Sequence, residues 1–230
     1  MPHPDLVIFD FDGTLVDSEI VAARVEAELI SEAGYEITAE EVTELYAGLT
    51  FKDILLRIEE VAAIPFKVSL IDKAEELVDQ RLRSEVRIIE GAREAVASVT
   101  TGRCICSNSR TERIGFMLDR TGLAPFFAPD RVFSSLETPS GKPKPAPDVF
   151  LHAAQSLGAN PADIFVIEDS VHGIAGAKLA GMRVIGFTGA AHSYPGHADV
   201  LTEAGAETVI RRWTDFPGVL AALSEWSADA

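Results

Sequence analysis

The sequence predicts an α/β protein: a parallel sheet with helices on both faces and a helical insert behind the first strand. Short apolar runs recur along the chain, and helical patterns with their own start and stop signals fall between most of them. One interval breaks the alternation, because about 90 residues separate the first two runs where a plain βαβ unit takes roughly 30. The 230 residues, 47% hydrophobic and 24% charged, can close a sizeable core and exclude a collagen, a repeat array or a disordered chain. A net charge of −16 repels polyanions, so no nucleic acid partner is expected. No apolar run approaches the ~20 residues of a bilayer span, and Met1 to Phe9 lacks the basic start and apolar stretch of a leader. The expectation is a soluble, cytoplasmic protein with no membrane partner.

The first strand is Leu6-Val-Ile-Phe9, which stops at Asp10 and a turn at Gly13. Further strands are read at Arg103–Ser107, Arg131–Ser134, Asp163–Glu168, Arg183–Phe187 and Thr208–Ile210. Ser109 three residues before Glu112 predicts a capped helix that stops at Gly122; Pro147 opens another that ends at Gly158, and a third follows Ser170 to Gly181. The insert, residues 17–86, reads as helical over Glu19 to Gly34, with further starts at Thr38, Thr50 and Ser69, each followed three residues on by an acid. The expected division is a core of residues 1–16 and 87–230 and a helical domain of 17–86, with linkers near Val16-Asp17 and Val86–Ile88 able to act as a hinge. Cys104 and Cys106, two apart on a strand, share one face and read as small core residues. Trp213, Trp226 and Phe126-Phe127 read as packing residues.

Chemistry concentrates at the strand ends. Asp10 and Asp12, two positions apart, can project together into the crevice where open α/β sheets bind ligands, and Gly13 permits the sharp turn between them. Such a pair can divide the work: Asp10 attacks an electrophile, while Asp12 protonates the leaving oxygen and later takes a proton from water. Glu168 and Asp169 end a second apolar run, and this many acids at strand ends calls for a cation; oxygen-only ligands suit Mg²⁺. Ser107-Asn108 ends a strand just before an expected helix start, a seat for phosphate oxygens. Lys144, among prolines in Lys142-Pro-Lys-Pro-Ala-Pro-Asp148, aims a positive charge at the same end.

In order, Asp10-Phe-Asp-Gly-Thr14, Ser107, Lys144 in Lys-Pro-Ala-Pro-Asp, and Glu168-Asp169 followed by Gly173 resemble the four motifs of the haloacid dehalogenase-like hydrolases. The subgroup most resembled is that of phosphoglycolate phosphatase and β-phosphoglucomutase, and the insert resembles that superfamily's C1-type cap. The resemblance implies a Rossmann-like core and an aspartyl-phosphate formed on Asp10, with Asp12 as general acid and base. It further implies Mg²⁺ held by Asp10, Asp12 through its carbonyl, and Asp169, with Glu168 in or beside the metal shell. Ser107 and the Asn108 amide would hold phosphoryl oxygens, and Lys144 would neutralise charge. Lys142 begins a similar Lys-Pro string; Lys144 is preferred because its motif runs directly into Asp148-Val-Phe150.

The expected reaction is hydrolysis of a small phosphomonoester, a sugar, polyol or organic-acid phosphate. A dehalogenase needs no leaving-group acid, so Asp12 argues against one. A β-phosphoglucomutase-like mutase is the nearer alternative, but Ala47 and Phe51 stand where that enzyme has basic residues, and Ala22 where it has a cap histidine. A metal- and phosphate-binding module without turnover is a further alternative. Gly48, Thr50 and Lys52 are candidates for substrate contact from the cap loop, with a helix stop and an exposed N-cap as the competing reading. His172, His192 and His197 receive no role.

Overall fold

The computed structural model describes residues 4–62, 65 and 67–226; Met1–His3, part of the stretch read for a leader, and the Trp226 side chain lie outside the described residues. Among the described residues, six strands form one parallel sheet. These are β1 (Leu6–Phe9), β2 (Gly102–Ser107), β3 (Val132–Ser134), β4 (Ile164–Glu168), β5 (Arg183–Phe187) and β6 (Thr208–Ile210). Their order is β3-β2-β1-β4-β5-β6, so β1 is flanked by β2 and β4, and chain direction across the sheet reverses there. The carboxyl ends of these three strands therefore open onto one crevice. Every expected strand is present, with starts displaced by one residue at Gly102, Val132 and Ile164.

Both faces of the sheet are covered, which is why its strands read as unbroken apolar runs. Val7, Phe9, Ile105, Phe165 and Ile167 enter one buried layer, while Leu6, Ile8, Cys104, Cys106 and Val166 enter the other. The two cysteines are free and fully buried, as their spacing predicts. Trp213 stacks on Phe187 with ring centroids 4.7 Å apart and donates its indole N–H to the Thr14 carbonyl at 3.2 Å. The turn after β1 is thereby pinned to the far end of the chain. Phe127 is buried in the same layer, and Phe126 packs against it half-buried.

The long interval holds α1 (Ser18–Glu32), α2 (Ala39–Leu45), α3 (Phe51–Ala62) and α4 (Ser69–Glu85). They enclose a cluster of their own, Ala23, Ala27, Ile30, Val42, Ile54, Leu55 and Ile58. Val21, Val25 and Leu29 of α1 and Ala74, Val78 and Leu82 of α4 instead join the layer over the sheet. The chain enters and leaves these helices through paired segments: Val16 bridges Ile88, Asp17 N–H donates to the Arg87 carbonyl and Ile89 N–H to that of Leu15, both at 3.0 Å.

Of the four starts with an acid three residues on, two form as the sequence predicts. Thr38 and Glu41 make a reciprocal capping box, and the Asp53 amide donates to Thr50 Oγ1 at 3.2 Å. Two do not. Ser69 is already inside α4, because Lys67 and Val68 carbonyls accept the Leu70 and Ile71 amides and a backbone turn replaces the side-chain cap. Ser109 does not cap α6 (Thr111–Thr121): its amide donates to Ser107 Oγ, the loop runs on to Arg110, and Glu137 takes the Thr111 amide. The remaining helices are α5 (Ala92–Ser98), α7 (Asp148–Leu157), α8 (Val171–Leu179), α9 (His197–Glu203) and α10 (Phe216–Trp226). The expected stops at Gly122 and Gly158 are left-handed caps with φ of 69° and 66°. Small residues bring α8 onto its neighbours: a Cβ at Gly176 would stand 3.1 Å from the Phe150 ring and 3.2 Å from the Ala146 carbonyl. No helix among the described residues is long and apolar enough to cross a membrane.

Candidate active site

At the crevice over β1, β2 and β4, Lys144 is the hub. It arrives from the loop between β3 and α7, whose Lys144-Pro145 bond is cis, and its Nζ donates to Asp10 Oδ1 at 2.6 Å, Glu168 Oε1 at 2.6 Å and the Cys106 carbonyl at 2.8 Å. All three donors of the ammonium are thus used, and both carboxylates are buried. Lys142 is exposed, so only one lysine of the Lys-Pro string reaches the acids. The other oxygen of Glu168 accepts from the amide and hydroxyl of Ser170, the N-cap of α8. Gly173, in the first turn of that helix, leaves room for it: a Cβ there would lie 1.8 Å from Glu168 Oε1.

Asp12 faces elsewhere. Its Oδ1 accepts from Ser18 Oγ and its Oδ2 from Ser107 Oγ, both at 2.8 Å, so its carboxylate is held between the start of α1 and the end of β2. Asp10 and Asp12 lie on one strand end, yet their carboxylates have separate partners. Gly13 between the acids and the turn has φ +74°, and a Cβ there would fall 2.2 Å from Asp169 Oδ2. Only glycine lets this turn lie against Asp169.

Ser107 Oγ accepts from the Ser109 amide, whereas Asn108 Oδ1 accepts from Ser135 Oγ at 2.8 Å and from the Lys144 amide at 2.9 Å. The Asn108 side chain therefore fixes the lysine loop. The seat differs from the sequence expectation in one respect. The start of α6 lies beyond Arg110 and its first amide is taken by the Glu137 carboxylate, so the helix end does not itself offer that amide to an anion.

Asp10, Glu168 and Asp169 each place an oxygen within 4.8 Å of the others. Burial first, and the neighbouring Glu168 charge second, push the Asp10 carboxyl well above its ordinary range, against the pull of Lys144. Burial lifts Glu168 too, again opposed by Lys144. A single ammonium does not balance this group of carboxylates. A divalent cation fits the donor set: oxygen atoms alone, convergent, buried and carrying surplus negative charge.

Of the cap candidates, Gly48 comes nearest the core: an added Cβ would lie 3.8 Å from the His172 ring, which is itself exposed. Thr50 Oγ1 bonds Asp53 Oδ2 at 2.6 Å and caps α3, and Lys52 is exposed on that helix. Four further residues at the site escaped the sequence reading. Ser18 holds Asp12. Glu19, next to it, is reached by solvent, yet crowding by surrounding protein lifts its carboxyl to about 7, with His192 opposing and Asp12 and Asp169 adding. His192 and His197, from the segment after β5, both contact Asp169. A signal for Ser18 and Glu19 was present in their place directly after the Gly13 turn; for the histidines it was their place beyond the carboxyl end of a parallel strand.

The model of the family described as haloacid dehalogenase-like hydrolase matches residues 7–187. The chain belongs to the haloacid dehalogenase-like hydrolases. Among relatives of this hydrolase, the 6-phosphogluconate phosphatase of Escherichia coli is 30% identical over 200 residues, covering 85% of this chain and 87% of the relative. A crystal structure of a haloacid dehalogenase-like protein of unknown function from Agrobacterium tumefaciens superposes with a TM-score of 0.92 at 55% identity, over 96% of this chain and 99% of that one. A hydrolase of the same family from Deinococcus radiodurans, solved with bound phosphate and sodium, gives a TM-score of 0.83 at 29% identity, over 96% of each chain.

Proposed function

We propose that this hydrolase is a Mg²⁺-dependent phosphatase that cleaves a small phosphomonoester, a sugar, polyol or organic-acid phosphate, through an aspartyl-phosphate on Asp10. The observation that carries the reading is the convergence of the Asp10, Glu168 and Asp169 carboxylates within 4.8 Å of one another at the strand ends, two of them paired with one buried lysine. Asp10, Glu168, Asp169 and the Asp12 carbonyl would hold Mg²⁺, which when bound offsets the carboxylate charge and polarises the phosphoryl oxygens. Asp10, ionised beside Lys144, attacks phosphorus. Asp12, oriented by Ser18 and Ser107, gives a proton to the leaving oxygen and then takes one from the water that attacks the acyl-phosphate. Ser107 Oγ and the Asn108 amide hold the phosphoryl oxygens, and Lys144 keeps a positive charge on the group through both steps.

Residues 17–86 form the cap in this reading, moving on the paired segments at Val16 and Ile88, closing over the site and excluding stray water. Gly48, Thr50 and Lys52 are its proposed substrate-facing residues. Hydrolysis is favoured over mutase chemistry because Ala47 and Phe51 offer a second phosphate no basic partner, and Ala22, half-buried in apolar packing, stands where the mutase has its cap histidine. The similarity to a 6-phosphogluconate phosphatase supports a small anionic metabolite as substrate.

The test is phosphate release from an aryl phosphate with Mg²⁺, followed by a panel of sugar, polyol, nucleotide and short organic-acid phosphates ranked by kcat/KM. Asp10→Asn and Asp12→Asn abolish turnover if the roles are right. Full activity in Asp10→Asn refutes the covalent step, and no turnover across the panel favours a binding module.

A further inference from the structure

We propose that the segment from the end of β5 to the first residue of α9 is the holder of Asp169, and that His192 is the positioning residue that fixes which carboxylate oxygen Asp169 turns toward the other acids. The inference rests on the reading of Asp169 as a cation ligand and goes beyond it. Asp169 is gripped from two sides by this segment. His192 Nε2 lies 3.0 Å from Asp169 Oδ2, and His197 Nε2 lies 2.8 Å from the Asp169 main-chain oxygen. A carboxylate and a carbonyl only accept, so both imidazoles present an Nε2–H.

The His192 ring has little freedom. A Cβ at Gly13 would stand 2.7 Å from its Cε1, so the ring lies against the turn behind Asp12, and its centroid is 6.0 Å from that of His197. Tyr194 stacks on His197 at 4.6 Å and 16°. One residue before His192, the Ala191 amide donates to Asp17 Oδ1 at 2.8 Å. The segment is therefore tied at its start to the linker below α1 and at its end to the backbone of Asp169, with His192 between. His192 Nδ1 is buried without a hydrogen-bond partner in the structure, leaving Nε2 as the ring's single polar contact. With Oδ2 engaged by His192, Oδ1 is the oxygen left for a cation. Partners of this kind around a ligating carboxylate typically govern metal affinity ~10–100-fold.

The experiment measures Mg²⁺ affinity by calorimetry for the wild type, His192→Leu, which fills the space without a donor, and His192→Gln, which restores an N–H. His192→Leu should weaken Mg²⁺ binding ~10–100-fold and His192→Gln should recover most of it. Equal affinity in wild type and His192→Leu overturns the inference while leaving the cation site standing. A His192→Gln as weak as His192→Leu also overturns it, because packing and not the hydrogen bond then matters. A wild type that takes up no Mg²⁺ overturns the cation reading and this inference together. Imidazole ¹⁵N shifts of the unmodified protein give the same answer should a variant misfold. Mg²⁺ should move the His192 and His197 resonances saturably and leave His152, packed edge-on against Phe133, unmoved; His192 resonances that stay in place refute the proposal.

Discussion

Replacing Lys144 with Met removes the ammonium from two buried carboxylates and leaves a side chain of similar length. Nζ has 2.6 Å contacts to both Asp10 and Glu168, and neither acid has solvent to fall back on. Breaking a buried pair in this way typically costs ~3–5 kcal/mol, because the remaining charge is uncompensated. For a chain of this size that corresponds to a fall in Tm of about 6–20 °C. The deficit depends on pH with a definite sign. Burial already raises both carboxyls above their ordinary values of 3.8 and 4.5, and loss of the ammonium raises them further. Acids raised in the folded state cost nothing when they are protonated in both states, and reduce stability as pH climbs past the unfolded values. Lys144→Met should therefore melt far below wild type at pH 8 and much closer to it at pH 5. Lys142→Met, at an exposed site, should stay within ~0.5 kcal/mol of wild type throughout. Calorimetric melts of the three proteins at the two pH values, with phosphatase assays that should show at least ~100-fold lower kcat only for Lys144→Met, complete the test. Equal melts for the two lysine variants at pH 8 refute the hub role of Lys144.

Gly173→Ala should drive its methyl into Glu168, lower stability by ~1–3 kcal/mol in urea unfolding and reduce turnover, since the displaced carboxylate loses Lys144; an unchanged midpoint and rate would refute the close approach. Glu26, half-buried on α1, has its carboxyl raised to about 7 by burial and then by Glu19. Its charge therefore costs stability as pH rises from 4.5 to about 7, and Glu26→Gln should stabilise the protein at pH 8 by at most ~3 kcal/mol with no gain at pH 4. Melts at the two pH values decide it. Chelation should abolish phosphatase activity reversibly, and Mg²⁺ at a hundred times its Kd should raise stability by ~2.7 kcal/mol, read as a shift in Tm.

The strands were legible because a sheet covered on both faces demands unbroken apolar runs, and Leu6–Phe9 and residues 184–187 of β5 show them without interruption. The acids that end β1 and β4 were legible for the same reason: a carboxylate closing such an apolar run marks the end of the strand, where polar partners must meet it. Capping was less so. Thr38 and Ser109 have the same spacing to an acid, but the amide of Ser109 is claimed by Ser107 and that of Thr111 by Glu137 across the fold, and no local pattern records such partners. The histidines were harder to read for a related reason. His192 lies well beyond Asp169 in sequence, and only the parallel pairing of β4 and β5 places the loop after one strand beside the end of the other.

Cys106 sits one residue before Ser107 and lends its carbonyl to Lys144, so a thiol is next door to the candidate site. Strand alternation turns that thiol into the apolar layer beneath the sheet, where its Sγ lies 3.8 Å from the Val149 carbonyl. Its neighbour Cys104 is equally enclosed, and burial lifts that thiol well above the range in which thiolates form. Alkylating reagents and mild oxidants are therefore expected to leave both sulfurs of the folded protein unmodified, although one of them lies a single residue from the candidate site.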